Sequence, residues 1–253
     1  MTIDFHVHRP STRGVWGLPD YPPEDYLGLM DAMDVDASVI LPLDGLVHDA
    51  RAGNDEVASW CAAAPSRLIP FCTVAPREPG APAELRRCVD ELGARGLKLH
   101  PWLQGFHPLE PFMDPICREA ARAGIPILVH DGTPPYATPL QVAALAARHP
   151  GVRFVLGHGG LYDLWPEAIA AVRRQPNVYA CMTSLHPQAM RRLVDALPAD
   201  RLLFGTDAGL AAAGAHGYAV ERWRELRDLG LDAEIERAIV AGTPAALLEP
   251  RPQ

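Results

Sequence analysis

Two histidines near the start of the chain have the spacing of a metal site. They lie in Ile3–His8, an apolar, strand-like run in which His6 and His8 are two residues apart. Side chains two apart on a strand face the same way, so the two imidazoles should converge while Phe5 and Val7 pack behind them. Neutral imidazoles so placed suit a divalent transition metal. The alternative is a pair of histidines that hydrogen-bond within a core.

Five further side chains of ligand or ionisable type stand at the ends of other apolar runs. They are Lys98 and His100 in Gly-Leu-Lys-Leu-His, His130 in Pro-Ile-Leu-Val-His, His158 in Val-Leu-Gly-His, and Asp207 in Leu-Leu-Phe-Gly-Thr-Asp. In a parallel barrel the chemistry lies where the strands end, at their C-terminal face. Because half of the ten histidines occupy such ends, we expect a single site built from them rather than scattered structural histidines.

The elements that must position these residues alternate regularly. Short apolar, β-rich runs predict strands at Ile3–Val7, Ser38–Leu41, Leu68–Val74, Gly96–Leu99, Ile125–Val129, Val152–Leu156, Val178–Met182 and Leu202–Phe204. Helical spacing of apolar residues predicts helices at Asp55–Ala64, Ala83–Ala94, Pro111–Ala123, Pro139–Arg148, Glu167–Arg174 and Gln188–Ala196, and then at Ala215–Leu229, Asp232–Ala241 and Pro244–Leu248.

Eight strand–helix repeats predict an α/β protein with a (β/α)₈ TIM barrel, formed as a single domain over residues 1–253. An open doubly wound sheet is the competing architecture, but no Gly-rich phosphate loop follows the first strand. The Pro-, Gly- and Arg-rich segment Arg9–Tyr21 should lie over the mouth of the barrel.

The amino-acid composition limits which partners and which cellular compartment are expected. A net charge of −8 argues against a nucleic-acid partner, and no segment is long and apolar enough to predict a membrane span. Five cysteines without C-x-x-C pairs favour buried thiols in a reducing compartment. We therefore expect a cytoplasmic protein with a small-molecule substrate, no nucleic-acid or membrane partner, and a homodimer left open.

The order of the motifs resembles a known family. Asp-Phe-His-Val-His, Leu-Val-His, Leu-Gly-His-Gly-Gly and Phe-Gly-Thr-Asp follow one another along the chain. This order is similar to that of the amidohydrolase superfamily, and more narrowly to its amidohydrolase-related branch of metal-dependent hydrolases and decarboxylases, which includes aminocarboxymuconate-semialdehyde decarboxylase. The resemblance implies one divalent metal, most often zinc, with His6, His8, His130 and Asp207 as ligands and His158 as the catalytic histidine.

Two activities follow from that resemblance. The first is hydrolysis of an amide, lactone or related bond of a small organic substrate by a metal-bound hydroxide, with Asp207 and His158 as acid/base groups. The second is non-oxidative decarboxylation of a small carboxylic acid at the same single-metal site. A nuclease fits poorly, because the chain has Lys98 where such enzymes carry a metal-binding Glu. A barrel that binds metal without catalysis is the non-enzyme alternative.

Lys98 is the single lysine of the chain, and arginine accounts for the other 22 of its 23 lysine and arginine residues. On a strand it shares a face with His100, so both should point into the barrel. In two-metal relatives a lysine on this strand is carboxylated and bridges the metals, whereas a plain Lys98 would pair with a substrate carboxylate or carbonyl. We favour the substrate role, and we expect His100, Arg9 and Trp102 to contact substrate as well.

Overall fold

Eight parallel strands and the helices between them make up the structure, a computed structural model that describes residues 1–9, 22–209 and 216–249, with only the backbone of His216. The strands are β1 (Ile3–His8), β2 (Ala37–Leu41), β3 (Leu68–Pro70), β4 (Leu97–Leu99), β5 (Ile127–Val129), β6 (Phe154–Leu156), β7 (Val178–Cys181) and β8 (Leu202–Leu203). All eight predicted strands are confirmed.

The strands close into a barrel. β1, β2 and β3 pair in sequence order, and β4 to β8 pair in the same way. Two parallel bridges join these sheets, one between Val7 and Ala208 and the other between Cys72 and Leu97. Each strand therefore has its sequence neighbours on either side, and the chain forms the predicted (β/α)₈ barrel rather than a doubly wound sheet.

Helices cover the outside and one end of the barrel. They are α1 (Pro23–Ala32), α2 (Leu43–Val47), α3 (Ala50–Cys61), α4 (Ala81–Asp90), α5 (Met113–Ala123), α6 (Pro139–Arg148), α7 (Trp165–Arg174), α8 (Pro187–Ala196), α9 (His216–Asp228), α10 (Ala233–Arg237) and α11 (Thr243–Leu248). Within the described ranges, no helix combines the length and apolar character that a membrane crossing requires. The predicted cover over the mouth falls mostly on residues 10–21, which lie outside the described part of the chain.

Local sequence signals explain where several of these helices begin and end. Thr138 and Gln141 form a reciprocal capping box at the start of α6. Asp49 accepts a hydrogen bond from the backbone of Ala52 at the start of α3. Gly124 ends α5 in the left-handed conformation that glycine adopts without strain.

The apolar side chains form two layers. A large cluster lies between the helices and the outer face of the strands, and it includes Val7 of β1 and Ile40 of β2. A smaller cluster fills the inside of the barrel, where Phe5, Leu128 and Leu203 meet Leu247 of α11. Helix α11 thus closes the end of the barrel opposite the predicted site.

A bulge in β1 changes which side chains face inward. Ile3 pairs with Ala37, and Val7 pairs with Ile40. Between these two pairs β1 contains one residue more than β2, which is a β-bulge. As a result Phe5 belongs to the cluster inside the barrel, while Val7 belongs to the outer one. The expectation that Phe5 and Val7 pack together behind the histidines was therefore wrong, because strict alternation does not hold through the bulge.

Candidate metal centre and its surroundings

Three buried side chains at the mouth of the barrel form a group that could hold a metal ion. One ligand atom from each of His6, His8 and Asp207 lies within 4.8 Å of the others. Oδ1 of Asp207 is 3.5 Å from Nε2 of His6 and 3.2 Å from Nε2 of His8. The two histidines of the H-x-H motif thus converge on one carboxylate from the far end of the sequence.

The ring of His6 is held in one orientation. Its Nδ1 lies 3.0 Å from the carbonyl oxygen of Gly157, the position of a donated hydrogen bond. With the proton on Nδ1, the lone pair of Nε2 faces Asp207 and is available to a metal. A Cβ at Gly205 would lie 2.5 Å from Cβ of His6, so only glycine lets β8 approach so closely.

Asp207 adopts a strained backbone conformation four residues after the end of β8. Its φ is +63°, which is uncommon for a residue other than glycine and is concentrated at functional sites. Its backbone N–H donates to the carbonyl of His6 at 2.8 Å, and its Oδ2 accepts a hydrogen bond from Oγ of Ser184 at 3.1 Å. One carboxylate oxygen is thereby fixed by Ser184 while the other faces the histidines.

The remaining predicted histidines lie beside this group. The ring of His158 is 4.9 Å from that of His6 and 4.3 Å from that of His130. His130 in turn stacks on His100, with ring centroids 3.7 Å apart. His130 adjoins the group of three described above but is not part of it, and its role as a ligand stays a prediction.

The side chain of Lys98 in β4 points towards the His6, His8 and Asp207 group. It is fully buried, and its Nζ lies 3.2 Å from Nε2 of His6. Burial lowers the pKa of this amine to about 8, against the opposing pull of the Asp207 and Asp131 carboxylates. The one lysine of the chain is therefore a neighbour of the three candidate ligands.

The charges of the group suit a cation. Burial lowers the pKa of His8, and it lowers the pKa of His6 well below the ordinary value, so both imidazoles are neutral near pH 7. Burial alone would raise the pKa of Asp207, but the positive charge that the neighbouring imidazoles carry when protonated, that of His6 foremost, lowers it well below its ordinary value. A bound cation would take the place of that proton between the carboxylate and the two imidazoles.

A metal ion fits these donors. Oδ1 of Asp207 is buried, and no described residue gives it a hydrogen bond of good geometry. A buried carboxylate oxygen left in that state is costly, and a bound cation would remove the cost. The fit therefore rests on a buried anionic oxygen that faces two neutral nitrogen donors.

The other predicted contact residues lie further out. Trp102 is half exposed, with its ring 6.1 Å from that of His100, at the rim of the mouth. Arg9 pairs with Glu56 of α3 at 3.2 Å and lines a surface pocket with residues of that helix. The substrate roles predicted for Arg9, Trp102, Lys98 and His100 stay predictions.

Two buried carboxylates near the site escaped the sequence reasoning. Asp131 accepts hydrogen bonds from the backbone N–H groups of His158 at 2.8 Å and Gly160 at 2.7 Å, and Asp4 accepts from Thr206. Asp4 lies within an apolar run two residues before His6, and Asp131 directly follows His130 at the end of another. Charged residues are almost never fully buried without partners, so that placement was the available signal.

Comparison with known proteins adds a family and several relatives. A family model described as Amidohydrolase matches residues 3–249. Gamma-resorcylate decarboxylase of Rhodococcus jostii (strain RHA1) is 28% identical over 62% of this chain and 65% of its own length, so less than two thirds of that enzyme is matched.

Solved structures share the fold across nearly the whole chain. The 5-carboxyvanillate decarboxylase LigW from Sphingomonas paucimobilis has a TM-score of 0.78 at 17% identity, covering 98% of both chains. A 2,6-dihydroxybenzoate decarboxylase complexed with 2,6-dihydroxybenzoate has a TM-score of 0.76 at 19% identity, with 98% of both chains covered. A 5-carboxyvanillate decarboxylase from Novosphingobium aromaticivorans with bound manganese has a TM-score of 0.70 at 20% identity, covering 88% of this chain and 80% of its own.

Proposed function

Because this chain belongs to the amidohydrolase family, we propose that it is a metal-dependent decarboxylase of a small aromatic carboxylic acid. The observation that carries the proposal is its 28% identity to a gamma-resorcylate decarboxylase, in a chain with the buried His6, His8 and Asp207 group. Of the two activities predicted from the sequence, hydrolysis and decarboxylation, the names of the relatives support the second.

The metal would be held by His6, His8 and Asp207, with His130 as the predicted fourth ligand. A bound divalent ion supplies positive charge that attracts anionic oxygens of the substrate. Imidazole nitrogen suits zinc and carboxylate oxygen suits manganese, so this mixed donor set is compatible with either ion. Zinc is the prediction from the sequence, and the manganese in a similar solved structure makes that ion the first alternative to test.

Lys98 is the proposed partner of an anionic oxygen of the substrate. Its amine is fully buried, with a pKa lowered to about 8. An anion bound beside it favours the charged ammonium and raises that pKa again. Binding of an aromatic acid and full protonation of Lys98 are therefore coupled.

His158 is the proposed proton donor. Burial lowers its pKa to about 4, so it is neutral near pH 7 without substrate, and a nearby substrate carboxylate raises that pKa. The imidazolium then gives its proton to the ring carbon that carries the carboxylate. The bond from that carbon to the carboxylate breaks, its electron pair restores the aromatic ring, and carbon dioxide leaves. His158 is left neutral and takes its next proton from solvent.

The test separates the two activities. Protein loaded with Mn²⁺ or Zn²⁺ is incubated in heavy water with 2,6-dihydroxybenzoate and other ortho-hydroxybenzoates. We expect release of carbon dioxide and one deuterium at the vacated ring carbon. In a parallel experiment, the same protein is incubated in oxygen-labelled water with a panel of amides, esters and lactones to test for hydrolysis. Labelled products from that panel, with no carbon dioxide from any ring acid, would establish a hydrolase instead.

The expectations about partners stay predictions: a small-molecule substrate, no nucleic-acid or membrane partner, and a homodimer as an open question. The cytoplasmic location and the single domain over residues 1–253 also stay predictions. Size-exclusion chromatography with light scattering would decide the oligomeric state.

A further inference from the structure

Asp4 is a fully buried carboxylate that the proposed chemistry does not use. It precedes the bulge of β1 and is in register with Ser38 of β2. Ser38 accepts a hydrogen bond from the hydroxyl of Tyr26 in α1, so this register position faces the helices. Asp4 therefore lies behind the barrel wall, on the side away from the predicted ligands.

The contacts of Asp4 surround the backbone of Asp207. Oδ1 of Asp4 accepts from the backbone N–H of Thr206 at 3.0 Å, and Oδ2 accepts from its hydroxyl at 2.6 Å. The same hydroxyl oxygen accepts from the backbone N–H of Ala208 at 3.2 Å. The residues on both sides of Asp207 are thus tied to one carboxylate.

The same carboxylate also reaches β1. Oδ1 of Asp4 accepts from the backbone N–H of His6 at 3.3 Å. The carbonyl of His6 accepts from the backbone N–H of Asp207 at 2.8 Å. His6 in β1 and Asp207 in the segment after β8 therefore share a single hydrogen-bond network centred on Asp4.

Asp207 needs such support because its φ of +63° is strained for a residue with a side chain. If the backbone relaxed, Oδ1 would turn away from Nε2 of His6 and His8. We propose that Asp4, acting through Thr206, is a positioning residue that sets the metal affinity of the His6, His8 and Asp207 centre from behind the barrel wall. This inference rests on the proposed metal centre.

Two substitutions test it. Thr206→Val removes the hydroxyl but keeps the size of the side chain, whereas Thr206→Ser keeps the hydroxyl. Partners behind a metal ligand typically change affinity by roughly 10- to 100-fold when they are lost. We expect a loss of that size for Mn²⁺ and for Zn²⁺, measured by competition with a chromogenic chelator, in Thr206→Val, and near-native affinity in Thr206→Ser.

Asp4→Asn carries the same test independently. The amide replaces an accepting oxygen by a donor, so the hydroxyl of Thr206 loses its acceptor while little volume changes. If Asp4 acts through Thr206, the double variant Asp4→Asn with Thr206→Val binds metal no more weakly than the weaker single variant. Should Thr206→Val not fold, Asp4→Asn alone decides.

Asn177→Ala provides the matched structural control. Asn177 is also buried, and its side-chain amide donates to the carbonyls of Ala146, His149 and Val152. It precedes β7 and so lies at the opposite end of the barrel. We expect it to lower the unfolding temperature without changing metal affinity.

The outcomes are distinct. Wild-type protein that binds neither metal would overturn the metal centre and this inference together. Wild-type protein that binds metal, with Asp4→Asn and Thr206→Val within about twofold of its affinity, would overturn the positioning role alone and leave Asp4 as a structural tie between β1 and β8. Weaker binding in both variants, with native affinity in Asn177→Ala, would establish it.

Discussion

Nζ of Lys98 lies 3.2 Å from Nε2 of His6, the same nitrogen that faces Oδ1 of Asp207. An amine and a predicted metal ligand therefore meet inside the barrel. The substrate role of Lys98 and its role as a carboxylated bridge make different predictions for metal content.

For Lys98→Met we expect unchanged metal content, about one ion per chain, with loss of turnover. The thioether keeps the length of the side chain and removes the charge that would hold an anionic oxygen. Elemental analysis of wild type and variant measures the metal. A second ion in wild type that is absent from Lys98→Met would show that Lys98 is a bridging ligand.

His8→Ala and Asp207→Asn should each abolish stoichiometric metal binding, because they remove one of three converging donors. Elemental analysis after dialysis against metal-free buffer checks this. His107→Ala is the control, since its Nδ1 accepts from the backbone N–H of Leu109 in the loop after β4. Retention of metal by both ligand variants would place the centre elsewhere.

His158→Gln should lower the rate of carbon dioxide release by at least about 100-fold, because a proton donor is lost, while metal content stays constant. Steady-state assays with matched metal loading measure the rate. His149→Gln is the control, as its Nε2 lies 2.8 Å from Asp114 between helices. Near-native turnover in His158→Gln would remove His158 from the chemistry.

Gly205→Ala should disrupt the centre, since the new Cβ would lie 2.5 Å from Cβ of His6. We expect metal binding to weaken and the free energy of unfolding to fall by about 1–3 kcal/mol, as overpacking does elsewhere. Gly28→Ala is the opposite case, because a Cβ added at Gly28 in α1 would have no neighbouring atom within 4 Å. It should raise stability by about 0.5–1 kcal/mol. Urea unfolding compares the two.

The metal-free protein should lose stability as pH falls from 6.5 towards 4. Burial lowers the pKa of His158 from 6.5 to about 4 and also lowers the pKa of His6, His8, His100 and His130, so on these five groups the folded state binds fewer protons than the unfolded chain in that window. Each histidine of this kind contributes about 1.4 kcal/mol per pH unit. The carboxyls of Asp4 and Asp131 act in the opposite direction, since burial raises their pKa to about 7 and about 6.

His158→Gln isolates that contribution. In chelator-treated protein, its free energy of unfolding should depend less steeply on pH, by about one proton between pH 6.5 and 4. Urea titrations at several pH values measure the slope. Identical slopes in wild type and variant would show that His158 is not held neutral by burial.

The barrel, and the convergence of His6, His8 and Asp207 at one place in it, could be predicted from the sequence. Buried parallel strands read as continuous apolar runs, and their C-terminal ends fix where side chains such as His158 and Asp207 meet. Helix α1 was not predicted, although Tyr26, Leu29 and Met30 are buried at helical spacing within it. The segment thus carries the same periodic signal as the helices that were predicted.

Other features depend on contacts that no local pattern encodes. The bulge of β1 lies in its pairing with β2, between Asp4 and Val7, so strict alternation misplaced Phe5. The support of Asp207 by Asp4 joins residues about two hundred positions apart. This contact exists because barrel closure brings β1 next to the segment after β8, and the spacing of residues within either sequence motif does not predict it.

The additional residue in the bulge of β1 reverses which side chains of the strand point into the barrel. Before it, odd-numbered side chains such as Phe5 enter the barrel; after it, even-numbered ones such as His8 do. One strand thus supplies apolar filling at one end of the barrel and candidate ligands at the other. Inward and outward positions counted back from His8 by strict alternation are therefore wrong for the residues of β1 that precede the bulge.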